Sequence, residues 1–129
     1  MIIDINRHYE TIFALAEDMI RETKRDNACT VIGDSYLIEK LFKCIFETEN
    51  VHLKYLDFDN IDYSGLYGIT LTENYEIYID KLQKDDGSYI YCDDDIVIVS
   101  DLCPCSYVDF LQKGHVEFEI AAINTDKIY

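Results

Sequence analysis

The hydrophobic period of this chain changes once along its length. Up to about residue 48, apolar side chains recur at three- and four-residue intervals, and from Gly65 onward they recur at every second position. The first spacing lines one face of a helix and the second lines one face of a strand. Helices early and strands late predict an α+β domain in two layers: a mostly antiparallel sheet with two N-terminal helices packed on one of its faces.

Residues 7 to 25 place Tyr9, Ile12, Phe13, Ala16 and Ile20 on one stripe, with Glu10, Glu17, Arg21 and Lys24 opposite. An amphipathic helix capped by Asn6 and ended by Asn27 is expected, with Phe13 in the core. Ala28 to Ile32 is a short, β-branched run bounded by Gly33 and reads as a buried strand. Asp34 and Ser35 are good capping residues for a second helix whose apolar positions are Leu37, Ile38, Leu41, Phe42 and Ile45. Val51 to Leu56 reads as a strand again, which makes residues 28-56 a candidate βαβ unit.

In the later part, Tyr67, Ile69 and Leu71 share one strand face, and Tyr75, Ile77 and Ile79 share another after a turn at Glu73 and Asn74. This is the pattern of a hairpin. Asp85 to Ser88 supplies a second turn, Tyr89 to Cys92 a third strand and Ile96 to Val99 a fourth, so an antiparallel meander is expected. Ser106 to Gln112 fits one or two helical turns ending at Gly114. Val116, Phe118 and Ile120 then alternate with Glu117 and Glu119, as in a half-buried strand.

No repeat, linker or low-complexity tract divides the 129 residues, which read as a single domain, 1-129. The opening Met1-Ile2-Ile3-Asp4 has neither the basic nor the apolar region of a signal peptide, and no apolar run is long enough to span a bilayer. The five cysteines (29, 44, 92, 103 and 105) are odd in number and irregular in spacing, which fits a reducing compartment. A cytoplasmic protein of a bacterial host cell is expected, with no membrane contact.

Charge narrows the function further. The formal net charge is -15, and residues 55 to 101 hold 12 acids against 2 bases. Such a field repels phosphates, so direct nucleic acid binding is not expected and a basic partner is.

The chemistry-bearing patterns are each incomplete. Gly33-Asp34-Ser35 between a strand and a helix is similar to the nucleophile block of GDSL-type esterases, which makes a small hydrolase using Ser35 one alternative. Those enzymes also need a late Asp-x-x-His pair, and here Gln112 stands three residues before His115. Asp57, Asp59, Asn60 and Asp62 crowd oxygen ligands together without the glycine and distant glutamate of a calcium loop. Cys103-Pro104-Cys105 is too tight for structural zinc, and the three histidines share no motif. Glycine-rich phosphate loops are absent from the sequence. No catalytic residue, metal or cofactor is therefore expected.

What remains is acid interleaved with tyrosine. Tyrosine offers a large contact area with few rotors and a polar tip, which suits an interface. Outward carboxylates at i and i+2 of a strand lie about 6.8 Å apart, close to two axial phosphate steps of one DNA strand. The expected partner-binding set is Asp57, Asp59, Asp62, Tyr63, Glu76, Tyr78, Asp80, Asp85, Asp86, Asp93, Asp94, Asp95, Glu117 and Glu119. The partner is expected to be a basic protein that itself binds nucleic acid.

The block from Tyr89 to Ser106, YIYCDDDIVIVSDLCPCS, resembles small proteins of bacteriophages and mobile elements of low-GC bacteria. In size, acidity and lack of a catalytic motif the chain also resembles phage anti-CRISPR proteins. Several of those are similar to DNA in charge and occupy the nucleic-acid groove of a CRISPR effector. The resemblance implies a non-enzymatic inhibitor acting as a DNA mimic. An immunity protein that neutralises a basic nuclease toxin has the same charge signature and is the other alternative.

Overall fold

The computed structural model describes residues 7–48, 52–55, 65–74, 76–91, 96–99 and 103–123. In chain order the elements are β1 (Arg7–Tyr9), α1 (Ile12–Asp26), β2 (Ala28–Asp34), α2 (Ser35–Thr48), β3 (His52–Tyr55), β4 (Leu66–Thr72), β5 (Glu76–Lys81), β6 (Ile96–Val99), α3 (Cys105–Lys113) and β7 (Glu119–Ile123). The class is α+β, as the change of period predicts.

The first helix begins later than its spacing suggests. Thr11, not Asn6, caps it: the Thr11 hydroxyl accepts from the Ala14 amide at 3.1 Å. Residues 7 to 9 are drawn instead into strand β1, parallel to β7, with Arg7 opposite Ala121 and Tyr9 opposite Ile123. The buried stripe is Leu15, Ala16, Met19, Ile20 and Thr23, while Phe13 is 50% exposed, so the core face of the helix is rotated from the expected one. Asn27 closes the helix in the left-handed region, at φ 73°.

The second helix starts where expected. Asp34 Oδ1 accepts from the Leu37 amide at 2.8 Å. Gly33 is required for the close approach of β2 and α2, since a Cβ there would sit 2.5 Å from Cδ2 of the fully buried Leu37.

All seven strands lie in one sheet, in the order β1-β7-β6-β2-β4-β5-β3. Its centre is antiparallel, with β2 against β4 and β4 against β5. The four remaining pairings are parallel: β2 with β6, β6 with β7, β7 with β1, and β5 with β3. The expected meander is therefore only the β4–β5 hairpin. Ile96–Val99 leaves it to lie between β2 and β7, and Tyr89 makes only an isolated bridge to Gln83. The unit at residues 28-56 does run strand, helix, strand, but β4 and β5 fill the space between β2 and β3.

Alternation sorts the core onto two faces. Cys29, Val31, Tyr67, Ile69, Leu71 and Ile77 face α1 and α2. Ile32, Leu66 and Leu82 face the other way and are covered by Tyr107, Val108 and Leu111 of α3. The helix after Pro104 thus adds a layer that a two-layer reading lacks. Between the layers, the Thr30 and Thr70 hydroxyls of adjacent strands bond each other at 2.7 Å, so neither is buried unpaired. Among the described residues, no helix is long and apolar enough to cross a membrane.

Candidate functional site

The expected partner-binding residues fall into separate groups. Asp57, Asp59, Asp62, Tyr63, Asp93, Asp94 and Asp95 lie outside the described residues. Glu76, Tyr78 and Asp80 alternate along β5 with Ile77 and Ile79, which join the α1/α2 core, so the three project from the opposite face. Tyr78 Oη donates to Glu76 Oε2 at 2.7 Å, while Asp80 is exposed. Asp85 and Asp86 occupy the exposed turn that follows. Lys81 Nζ approaches Asp85 Oδ1 at 3.9 Å, and the Ser88 hydroxyl and amide both donate to Asp86, holding its carboxyl below the usual range.

Glu117 and Glu119 lie elsewhere. β7 is four strand positions from β5, or about 19 Å at ordinary strand spacing. The described acids therefore do not form one continuous row, because the chain places its hairpin and its last strand on different sides of β2.

Glu119 belongs to a cluster that linear spacing concealed. Arg7 Nη1 stands 2.8 Å from Asp18 Oδ2, and Nη2 reaches Glu22 Oε1 at 3.2 Å and also bonds Glu119. Tyr9 donates to the same Asp18 oxygen. Burial opposes the Arg7 charge, but the Tyr9 contact and the Glu119 and Glu22 carboxylates outweigh it and raise the guanidinium above its ordinary value. Burial, then the bond to Asp18, pushes the Tyr9 hydroxyl up as well. Arg25 pairs with Glu22 and, at 3.1 Å, with Asp26. Arg7, Glu22, Arg25, Asp26 and Glu119 border a cleft of about 570 Å³ whose other walls are Cys29, Gln112, Val116, Glu117 and Phe118. The sequence signal was small: Arg7 and Tyr9 share strand parity, which is also their common face.

The segment after the second turn forms an aromatic patch with α3. Tyr89 meets Tyr107 edge-on with ring centroids 5.1 Å apart, and Tyr91 stacks on Phe110 at 4.1 Å with 19° between planes. Tyr107 Oη donates to the Ile90 carbonyl at 3.2 Å, and the Tyr89 and Ser106 hydroxyls bond at 2.6 Å. Among the tyrosines of this acidic stretch, Tyr67 is buried, Tyr78 and Tyr89 are half-buried, and Tyr91 is 47% exposed. Beside it Ile90 is 39% exposed.

Ser35 is 2% exposed, and the neighbouring Asp34 carboxylate is occupied as a helix cap. Burial, and secondarily the nearby Cys105, pushes the Cys103 thiol up to about 12. Among the described residues, no group of three His, Cys, Asp or Glu side chains could hold a metal ion. Comparison with protein-family models, curated proteins and solved structures finds no match.

Proposed function

We propose that this chain is a non-enzymatic binding protein whose acidic surface covers the nucleic-acid-binding face of a basic protein, acting as an inhibitor in the manner of the anti-CRISPR proteins it resembles. The observation that carries this reading is the net charge of -15, with several described carboxylates exposed and left without a cation. Glu10, Glu17, Glu73, Asp80, Asp109 and Glu117 are exposed and make no ion pair among the described residues. Carboxylates left open in this way raise the local concentration of cationic partners and the rate of encounter with them. Cys103 and Cys105 form no disulfide, which fits the cytoplasm of a bacterial host cell as the setting.

The test is a binding assay against purified CRISPR effectors and basic nucleases, with nucleic acid as competitor. Binding should fall steeply as salt rises and should be displaced by the target's own nucleic acid. Binding to a basic target that persists beside a saturating nucleic acid and is insensitive to salt would overturn the reading.

A further inference from the structure

Five glycines occur in the chain, and only Gly87 follows an aspartate or an asparagine. An Asp-Gly bond is chemically prone to succinimide formation, because no side chain on the second residue hinders its nitrogen from reaching the carboxyl carbon of the first. Here the bond lies at the tip of an exposed hairpin. Asp86, Gly87 and Ser88 all face solvent, and a Cβ added at Gly87 would meet nothing within 4 Å.

Hydrogen bonding, not burial, restrains this bond. The Gly87 amide donates to the Lys84 carbonyl at 2.9 Å, and the Lys84 amide donates to the Ser88 carbonyl at 2.8 Å, so the turn is closed from both sides. Gly87 stands at φ 88°, the left-handed position that a three-residue hairpin loop gives to glycine. The Asp86 carboxylate is turned to the residue beyond: Oδ1 accepts from the Ser88 amide at 2.9 Å and from the Ser88 hydroxyl at 2.6 Å. The nitrogen that must attack is thus engaged with Lys84 while its target carbon is held toward Ser88. The same two Ser88 bonds keep the carboxyl below its usual range, and an ionised carboxylate is a poor electrophile.

We propose that Asp86–Gly87 is the site at which this chain isomerises to isoaspartate, and that Ser88 is the residue that restrains it. In the reaction the Gly87 nitrogen bonds Asp86 Cγ, and the amide proton leaves with the carboxyl hydroxyl as water. A second water molecule then opens the cyclic imide at the former backbone carbonyl. The main chain now runs through Cγ, one methylene longer inside the turn, and the mass is unchanged. Asp86 lies in the expected contact surface, but this chemistry does not depend on what the chain binds.

The experiment follows isoaspartate in the full chain during prolonged incubation at neutral pH below the melting temperature. Peptide mapping locates it, and methyl acceptance from an isoaspartyl methyltransferase counts it. Folded Ser88→Ala should accumulate isoaspartate at Asp86 about tenfold faster than folded wild type, the rate equivalent of one hydrogen bond to a charged group. Ser88→Thr, which keeps the hydroxyl, should stay with wild type. Ser88→Thr and Ser88→Val differ by little more than that hydroxyl, so this pair decides the matter should Ser88→Ala loosen the hairpin. In urea the wild type should react at Asp86 ahead of every other aspartate, and all the variants should converge on its rate. Equal rates in folded wild type, Ser88→Ala and Ser88→Val would overturn the role of Ser88, and isoaspartate forming in urea at other positions but not at Asp86 would overturn the site.

Discussion

Arg7 and Asp18 face each other across 2.8 Å, and this contact ties the first strand to the first helix. Because Glu22 and Glu119 converge on the same guanidinium, removing Arg7 leaves three carboxylates without their shared cation. Arg7→Met should therefore destabilise the fold by about 2 kcal/mol or more, below the full penalty of a wholly buried pair because the site is partly open to water. Asp18→Asn should cost about 1 kcal/mol, since Arg7 keeps two partners. Urea denaturation of both variants checks the order, and an Arg7 variant as stable as wild type would show that the cluster contributes nothing.

The rotated stripe of α1 gives a second test. Leu15→Ala should cost about 2 to 5 kcal/mol, as for other buried leucines. Phe13→Ala should stay within about 1 kcal/mol, because half of that ring already faces water. Reversal of that order in thermal or chemical melts would return Phe13 to the core.

Tyr9 makes stability depend on alkaline pH. Its folded hydroxyl titrates above the ordinary value of about 10, so the folded state holds this proton more tightly than the unfolded state does. The associated stability is complete below pH about 10 and is lost as pH rises through the folded value. Tyr9→Phe should therefore show a shallower loss of stability above pH about 10 than wild type. Parallel curves for the two proteins would remove the assignment.

The two cysteines flanking Pro104 should differ in reactivity. Cys103 is buried with its thiol pushed up to about 12, whereas Cys105 is exposed. Alkylation at neutral pH followed by peptide mapping should label Cys105 first and Cys103 only on unfolding. Equal rates would show that the Cys103 site opens readily.

Charge reversal tests the proposed function directly. Asp85 and Asp86 sit in an exposed turn and contribute little to the core, so replacing both with lysine should leave the melting temperature within a few degrees. Association with a basic target should slow by about tenfold at low salt, and the difference should shrink as salt is added. Unchanged association would show that this turn is remote from the contact.

Short-range physics is legible in the sequence by itself. Asp34 capping α2, the turn at Glu73 and Asn74, and Tyr67, Ile69 and Leu71 sharing a face all depend on neighbours a few residues away. Periodicity and capping chemistry determine such features, and the charge of -15 is fixed by composition alone. The tertiary structure decided what long-range pairing controls. Arg7–Tyr9 became a strand only because β7, more than a hundred residues later, supplied the hydrogen-bonding edge, and the packing of α1 in the core buried Leu15 and Met19 while leaving Phe13 exposed. Ile96–Val99 took a parallel place beside β2 for the same reason: an apolar run specifies burial but not which strand it lies against, and that choice belongs to the whole sheet.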